Sequence, residues 1–243
     1  MTSIQVFLDE SAQTKAAIDL FIASARSAIE ERGIFSVALS GGSTPKMVYT
    51  GLAEPDCQER LDWANIHLFF GDERHVPPDH PDSNFLMVKD SLLDKVSIPA
   101  ENIHRVKAEM EPRMAAFSYE DDLRAFFHEA RPRFDLVLLG MGTDGHTASL
   151  FPKTAGLNEE QRWFIANQVP SQGGWRLTLT KHAINAARKV VVLVSGTSKA
   201  EMLAEVLTGS YGPLNRPIQL ISPTEGEMIW LVDRDAASRL LDA

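Results

Sequence analysis

Residues 134–152 read FDLVLLGMGTDGHTASLFP, and this stretch decides the fold class. Its apolar beginning, Phe134–Leu139, predicts a strand that is buried on both faces. The glycines at positions 140, 142 and 145 then permit a tight turn and a close approach of the backbone to a ligand. A strand that ends in such a turn, here carrying an aspartate and a histidine, is typical of a site at the edge of an open α/β sheet.

The rest of the chain alternates short apolar runs with helical patterns. The other predicted strands are Ile4–Leu8, Phe35–Leu39, Ile66–Phe70, Trp163–Val169, Lys189–Val194 and Ile229–Val232. Two predicted helices are Thr14–Arg32 and Lys46–Leu52. A third begins at Ser118, with its apolar side formed by Leu123, Phe126, Phe127 and Ala130. A fourth follows the capping box Ser198–Glu201, and a short helix lies near the C-terminus. Strands that are apolar on both faces and separated by helices predict an α/β fold with a mostly parallel sheet covered on both sides.

Residues 175–180, WRLTLT, depart from this pattern because apolar and polar side chains alternate. Alternation is typical of a half-exposed strand, so a small antiparallel insertion is expected here. The proline-rich stretch Val76–Asp82 is too short for a linker and predicts a rigid surface loop near the carboxyl edge of the sheet. Since no linker or repeat divides the chain, residues 1–243 are interpreted as a single domain.

Composition and charge narrow the classes of function. The chain has 243 residues, 44% of them hydrophobic, which is enough for a substantial core. Its formal charge of −9 argues against a nucleic-acid binder, and an anionic ligand would need local cations and backbone N–H groups. The single cysteine, Cys57, excludes an internal disulfide and a multi-cysteine metal site. Neither a leader peptide nor a membrane-spanning run is evident, so a cytoplasmic protein is expected.

The segment Ser40–Pro45, SGGSTP, follows a predicted strand. Two glycines lead into two hydroxyl residues and a proline suited to the first turn of a helix. With Thr44 as the expected N-cap, free N–H groups and the hydroxyls of Ser43 and Thr44 would form a socket for an anion. Gly41 and Gly42 would line the same socket, and an ordinary capped turn is the alternative. The glycine patterns of Walker A loops and dinucleotide-binding folds are absent, so no nucleotide cofactor is indicated.

A second polar cluster consists of Asp72, Glu73 and Arg74, directly after another predicted strand. Two acids and a guanidinium at a strand end can bind a polyol and a phosphate. A surface ion cluster that satisfies itself is the alternative. His75 and His80 lie in the following loop, but no third ligand with suitable spacing is near, so a metal site is not expected.

Four further residues are candidates at glycine-rich turns. A neutral imidazole at His146 can take a proton from water near pH 7, and Asp144 could fix its tautomer, hold a substrate hydroxyl, or merely cap a short helix. Arg176 and Lys199 each lie beside glycines at the end of an element, although each could be a plain surface charge. Lys199 is predicted in the first turn of a helix, where the helix dipole disfavours a cation. An unfavourable residue at such a position suggests a functional role. A covalent serine hydrolase is not supported, because no Gly-x-Ser-x-Gly pattern occurs.

Taken together, these motifs resemble those of 6-phosphogluconolactonases. The matching segments are SGGSTP at 40–45, GDER at 71–74, DSN at 82–84, GMGTDGHTASLFP at 140–152, the late Gly196–Lys199 and the closing Trp230–Asp233. The resemblance implies a Rossmann-like three-layer α/β/α fold, shared with glucosamine-6-phosphate deaminases and ribose-5-phosphate isomerases. It also implies hydrolysis of 6-phosphoglucono-1,5-lactone to 6-phosphogluconate in the oxidative pentose phosphate pathway, without a metal or organic cofactor.

Two alternatives stay open at this point. A glucosamine-6-phosphate deaminase or an isomerase carries a similar Gly-x-Asp-Gly-His turn, but those deaminases have a glutamate five residues after the histidine, where this chain has Phe151. Asp72 occupies the position of their enolising base, so Asp72 does not discriminate. The other alternative is a sugar-phosphate-sensing module without catalysis, which would be expected to carry a DNA-binding segment.

The lactonase hypothesis assigns roles to the candidate residues. We expect His146, assisted by Asp144, to take a proton from the attacking water and then protonate the ring oxygen, with N–H groups of the 140–146 turn as candidates for the oxyanion. The residues expected to bind substrate are Gly41, Gly42, Ser43, Thr44, Asp72, Arg74, Arg176 and Lys199. The expected partner is a small sugar phosphate, with no nucleic acid and no membrane, in a monomer or weak homodimer.

Overall fold

The computed structural model describes residues 2–128 and 131–241, and within these ranges the strands form two sheets. The main sheet is parallel throughout, in the order β1 (Thr2–Phe7), β10 (Glu227–Asp233), β9 (Lys189–Val194), β6 (Leu136–Gly140), β2 (Phe35–Leu39), β3 (Ile66–Phe70) and β5 (Ile103–His104). The small sheet is antiparallel, in the order β4 (Asp72–Arg74), β8 (Gly174–Leu179) and β7 (Phe164–Val169). The parallel sheet and the antiparallel insertion predicted from the sequence are both confirmed.

Helices occupy the connections between the strands. They are α1 (Glu10–Arg32), α2 (Ser43–Leu52), α3 (Pro55–Gln58), α4 (Asn84–Ser91), α5 (Pro112–Phe127), α6 (Lys181–Asn185), α7 (Ala200–Thr208) and α8 (Ser238–Leu241). Every residue of β2 is buried, so both faces of the sheet centre are covered, as a three-layer α/β/α fold requires. In the described ranges, no helix has the length and hydropathy needed to cross a bilayer.

Helix starts differ more from the sequence-based expectation than strand positions do. Strands β2, β3 and β9 have the predicted bounds, whereas α1 begins at Glu10 rather than Thr14. Asp9 explains this earlier start, because its carboxylate accepts the Ala12 N–H at 2.8 Å. Helix α5 likewise begins at Pro112 rather than Ser118, behind the capping side chain of Glu111. Leu123, Phe126 and Phe127 of this helix pack in or against the core, and Ala130 lies outside the described residues.

The order of strands brings four sequence motifs to one edge. Strands β9, β6, β2 and β3 contribute neighbouring carboxyl ends, because β9 pairs with β6, β6 with β2, and β2 with β3, all in parallel. Directly after these four strands come the segments 195–199, 141–146, 40–45 and 71–74. Residues that are distant in sequence are thereby assembled along the carboxyl edge of the sheet, where open α/β folds bind ligands.

A pair of histidines holds the short edge strand β5 against β3, away from this edge. His67 Nδ1 lies 3.1 Å from His104 Nε2, and the His104 ring stacks on Phe69 with ring centroids 4.0 Å apart. The ring of Phe126 packs against both imidazoles. Burial, and then the nearby His67, lower the pKa of His104 to about 4. The pair is therefore neutral in the folded protein at neutral pH.

This pair should make folding stability depend on pH. The pKa of His104 is lower in the folded chain than the ordinary value near 6.5, so the unfolded chain takes up its proton first as pH falls. Stability is therefore lost between about pH 6.5 and pH 4. After allowance for solvent screening at this half-buried site, we expect His104 to contribute on the order of 1 kcal/mol to the loss.

Urea unfolding at pH 7.5 and pH 5 measures the effect. The variant His104→Phe keeps a ring on Phe69 and should lose less stability between these pH values than the original chain. The variant His182→Phe, at an exposed position, is the control. An unchanged pH dependence in His104→Phe would contradict the assignment.

Candidate active site

A cleft of about 790 Å³ opens along the carboxyl edge of the main sheet. All the predicted site residues except Asp144 line this cleft: Gly41, Gly42, Ser43, Thr44, Asp72, Arg74, His146, Arg176 and Lys199. The volume suits a small-molecule ligand. The structure thus brings together residues that the sequence separates by as much as 158 positions, from Gly41 to Lys199.

The turn after β6 presents His146 to the cleft with a fixed orientation. Asp144 Oδ1 lies 2.5 Å from His146 Nδ1 and also accepts the His146 backbone N–H at 3.1 Å. Burial alone would raise the pKa of Asp144, but the hydrogen bonds and charge of His146 lower it below its usual value. An ionised Asp144 accepts a proton-bearing Nδ1, so Nε2 is left as the basic ring nitrogen. No helix begins here, so the capping alternative for Asp144 is wrong.

Phe151 packs against one face of the His146 imidazole. Its ring stacks on that of His146, with centroids 4.1 Å apart and an angle of 23° between the planes. Phe151 is buried, so it covers this face of the imidazole with an apolar ring. Asp144 is consequently the carboxylate that contacts His146 among the residues described.

Gly142 is required for the approach of the two catalytic candidates. A Cβ atom at Gly142 would lie 2.1 Å from His146 Nδ1 and 2.5 Å from Asp144 Oδ1. We therefore expect Gly142→Ala to displace both side chains and lower kcat by about 10²-fold, as misplacement of a catalytic group by about 1 Å can. The control is Gly140→Ala, since nothing lies within 4 Å of a Cβ atom there. Steady-state kinetics give kcat for both variants. An equal loss of kcat in Gly142→Ala and Gly140→Ala would contradict this account.

The same turn has fewer free N–H groups than expected for an oxyanion site. The N–H groups of Gly142, Gly145 and His146 donate to His146 O, Gly142 O and Asp144 Oδ1 respectively. These three donors are engaged within the turn, so the expectation that they hold an oxyanion is not met. A developing oxyanion must be stabilised by other donors in the cleft.

Asp72 is held at the cleft wall by neighbours that the sequence analysis did not assign to the site. Ser149 Oγ donates to Asp72 Oδ2 at 2.6 Å, and Asn84 Nδ2 donates to the Asp72 carbonyl oxygen at 2.9 Å. Gly41 leaves room for Asn84, because a Cβ atom there would lie 2.1 Å from Asn84 Oδ1. Ser149 and Asn84 both line the cleft and both fall inside the motifs that carry the family resemblance. Their position inside these motifs is the sequence feature that could have assigned Ser149 and Asn84 to the site.

Glu73 is structural rather than part of the cleft. Its carboxylate is buried and accepts the backbone N–H groups of Arg74, Asn84 and Phe85 together with the Ser83 hydroxyl. Burial raises the pKa of Glu73, and the backbone donors oppose that rise. Glu73 therefore fixes the start of α4 against β4. It is neither a substrate ligand nor a member of a surface ion cluster, because it is buried and its partners are backbone N–H groups and a hydroxyl.

Two guanidinium groups lie side by side on the small sheet. Arg74 in β4 and Arg176 in β8 are direct register partners. Arg74 donates to the Asp82 carbonyl oxygen at 2.6 Å, and Arg176 donates to the carbonyl oxygens of Trp175 and Gln172, each at 3.2 Å. Burial, and then the charge of Arg74, lower the pKa of Arg176. Neither guanidinium pairs with a carboxylate in the described ranges, so an anion in the cleft would relieve their repulsion.

The SGGSTP turn supplies backbone donors. Helix α2 begins at Ser43 with Gly42 at the N-cap, so the prediction of Thr44 as N-cap is wrong. A φ of 105° at Gly42 explains the difference, since that conformation favours glycine. The N–H groups of Ser43 and Thr44 donate to no protein acceptor within the described ranges and face the cleft at the positive end of the helix. The Thr44 hydroxyl, by contrast, is already 2.7 Å from Ser195 Oγ.

Lys199 lies at the start of α7, where the sequence predicted the capping box Ser198–Glu201. The prediction of this capping box is wrong, because Thr197–Lys199 form a 3-10 turn and no side chain caps α7. Burial lowers the pKa of Lys199, and the charge of Asp144 acts in the opposite direction. The ammonium group therefore lies within electrostatic reach of the catalytic candidates.

Metal-binding groups do not gather in the described ranges. No cluster of three or more histidine, cysteine, aspartate or glutamate side chains is suited to a metal ion there. His75 contacts the Met110 carbonyl oxygen at 2.9 Å, and His80 Nδ1 accepts the Asp82 N–H at 3.1 Å. The two loop histidines thus have protein partners.

The chain is similar to known proteins along most of its length. Residues 8–230 match the family model described as glucosamine-6-phosphate isomerases/6-phosphogluconolactonase. The chain is 43% identical over 242 residues to a 6-phosphogluconolactonase of Nostoc sp. (strain PCC 7120), covering 98% of each chain. It is 46% identical over 217 residues to one of Synechocystis sp. (strain PCC 6803), covering 88% of each.

A solved structure extends the likeness to three dimensions. The 6-phosphogluconolactonase from Trypanosoma cruzi superposes with a TM-score of 0.87 at 28% identity, over 99% of this chain and 97% of that one. The sequence match and the shared fold both cover nearly the whole chain. The chain belongs to the glucosamine-6-phosphate isomerase/6-phosphogluconolactonase family.

Proposed function

We propose that this protein hydrolyses 6-phosphoglucono-1,5-lactone to 6-phosphogluconate, a step of the oxidative pentose phosphate pathway. The observation that carries the proposal is the arrangement of His146 in the cleft. Its Nδ1 is held by Asp144, its face is covered by Phe151, and its Nε2 has no hydrogen-bond partner among the described residues and lies beside a cleft lined by Arg74, Arg176 and Lys199. An ester carbonyl and an anionic tail on one small molecule fit these features. The relatives named above carry the same activity in their names.

The reaction follows from the protonation states of the pair. Nε2 of His146 takes a proton from a water molecule as that water attacks the lactone carbonyl carbon. Asp144 stabilises the imidazolium that results and keeps the ring oriented. The tetrahedral intermediate collapses by breaking the bond between C1 and the ring oxygen, and the imidazolium donates its proton to that oxygen. The immediate product is a carboxylic acid with a free 5-hydroxyl, and His146 is neutral again. The acid then loses its proton to solvent and becomes the carboxylate, which is the acid release that an assay detects.

The phosphate of the substrate binds away from the reacting carbon. We assign it to the start of α2, where the N–H groups of Ser43 and Thr44 have no acceptor in the described part of the chain, with Arg74, Arg176 and Lys199 as cations of the same cleft. Gly41 and Gly42 allow the backbone to come close to the phosphate. Asp72 accepts hydrogen bonds from sugar hydroxyls. These local donors offset the net charge of −9, which would otherwise repel a dianion.

A glucosamine-6-phosphate deaminase is the second candidate, because the family description includes that class. Phe151 argues against the deaminase function, since an aromatic ring and not a second carboxylate stacks on the His146 imidazole. One pair of assays separates the two functions. We expect freshly prepared 6-phosphogluconolactone to release acid well above its spontaneous rate, and glucosamine 6-phosphate to release no ammonia. Ammonia release without lactone hydrolysis would overturn the proposal, and binding without turnover would favour a sugar-phosphate sensor.

We infer that the protein acts as a monomer or weak homodimer. A reducing compartment such as the cytoplasm suits the one free cysteine, Cys57. Turnover per chain should therefore be independent of protein concentration in dilute solution.

A further inference from the structure

One carboxylate connects the start of α1 to the start of α2. Ser195 Oγ donates to Glu10 Oε1 at 3.0 Å. Thr44 Oγ1 lies 2.7 Å from Ser195 Oγ and 3.4 Å from the same oxygen of Glu10. Thr44 is in the first turn of α2, Ser195 follows β9 directly, and all three residues line the cleft. Glu10 therefore joins three elements at the place assigned above to the phosphate.

The positions of the hydroxyl protons follow from these distances. A carboxylate only accepts, so the two hydroxyl protons of Thr44 and Ser195 can serve only two of the three contacts. The shortest contact, between Thr44 and Ser195, requires one proton. Since the contact of Ser195 with Glu10 (3.0 Å) is shorter than that of Thr44 with Glu10 (3.4 Å), the favoured arrangement is a chain in which Thr44 donates to Ser195 and Ser195 donates to Glu10. Both protons are then used inside the protein, and a phosphate at this place meets backbone N–H groups and cations instead.

Gln13 holds the same region from one turn further along α1. Its buried side-chain amide donates to the carbonyl oxygens of Val194 at 2.9 Å and Leu231 at 2.6 Å. Val194 immediately precedes Ser195, so Gln13 fixes the main chain and Glu10 fixes the side chain. Helix α1 thus determines where the turn that leads to Lys199 lies relative to α2.

We propose that Glu10 is a positioning residue for the substrate phosphate, an inference that rests on the lactonase function proposed above. By holding Thr44 and Ser195 together, Glu10 places the free N–H groups of α2 beside the turn that carries Lys199. An anion can then contact both at once. Glu10 makes no contact with His146 or Asp144 in the structure. Its removal should weaken the binding of phosphorylated ligands and leave the chemical step unchanged.

The test compares Glu10→Ala and Glu10→Gln on two substrates. We expect Glu10→Ala to raise KM for 6-phosphogluconolactone about 5- to 10-fold, as loss of a hydrogen bond does, with kcat within about twofold. Glu10→Gln keeps an oxygen that accepts from Ser195 and removes a negative charge near the phosphate, so its KM should equal the original value or fall below it. For unphosphorylated gluconolactone, kcat/KM should be the same in all three proteins. Glu30→Ala removes an exposed charge about 30 Å away on the same helix and is the matched control.

Calorimetric binding of inorganic phosphate and of 6-phosphogluconate gives a readout that needs no turnover. Weaker binding of both by Glu10→Ala, restored in Glu10→Gln, supports the inference even if the lactonase assay fails for the original chain. The inference is overturned if Glu10→Ala binds both anions as the original chain does. It is also overturned if activity on both lactones falls equally, or if Glu10→Gln behaves like Glu10→Ala, since each result indicates a general structural role.

Discussion

Replacement of His146 by alanine is expected to lower kcat by about 10²- to 10⁴-fold and to leave KM nearly unchanged. The imidazole is the base that activates water, so its loss removes an interaction made in the transition state and not in the bound substrate. Asp144 and Phe151 contact His146 from two sides, and the hydrogen bond from the backbone N–H of residue 146 to Asp144 Oδ1 persists when the ring is removed. The fold of the turn should therefore survive the substitution.

Stopped-flow measurement of acid release from fresh lactone gives both constants. The affinity of His146→Ala for inorganic phosphate, which does not reach His146 in the proposed binding mode, should match that of the original chain and so show that the phosphate end of the cleft is intact. Free imidazole should restore part of the activity, because it can occupy the space beside Phe151. Original turnover in His146→Ala, or a loss confined to KM, would exclude His146 as the base.

Replacement of Arg74 or Arg176 by alanine should raise KM by roughly 10- to 100-fold with little change in kcat. The two guanidinium groups are register partners on β4 and β8 and have carbonyl oxygens as their protein acceptors. A charge-assisted hydrogen bond to phosphate contributes about 1.5–3 kcal/mol, which corresponds to this range of KM. Each variant is measured with the phosphorylated lactone and with gluconolactone.

The two substrates distinguish a phosphate contact from a hydroxyl contact. If an arginine binds phosphate, its loss should raise KM for the phosphorylated lactone alone. If it binds hydroxyls, KM for both lactones should rise together. Arg60→Ala, which removes an exposed guanidinium outside the cleft, is the control. An unchanged KM for the phosphorylated lactone would remove that arginine from the binding site.

Much of the site could be predicted because parallel strands align their carboxyl ends. The apolar runs of β2, β3, β6 and β9 are visible in the sequence, and the motif after each run must lie at one edge once the strands pair in parallel. The sequence therefore sufficed to place Thr44, Arg74, His146 and Lys199 in one cleft. It did not provide the order of the strands, which depends on how the helices cross over.

What the sequence did not reveal depends on contacts over long separations. Strands β4 and β5 have three and two residues, too few for any periodicity to show. The role of Glu73 is visible only when three backbone N–H groups are seen to converge on it. The same holds for Glu10, whose partner Ser195 is 185 positions away. An acidic residue in a first helical turn has, by itself, the signature of an ordinary helix start.

A crystal structure of the complex with 6-phosphogluconate tests the central claim most directly. We expect the C1 carboxylate of the product within about 3.2 Å of His146 Nε2, the hydrogen-bond reach of a general base. The phosphate should lie at the start of α2, in contact with the N–H groups of Ser43 and Thr44. A product bound with its phosphate beside His146, or with C1 far from that imidazole, would contradict the proposed mechanism.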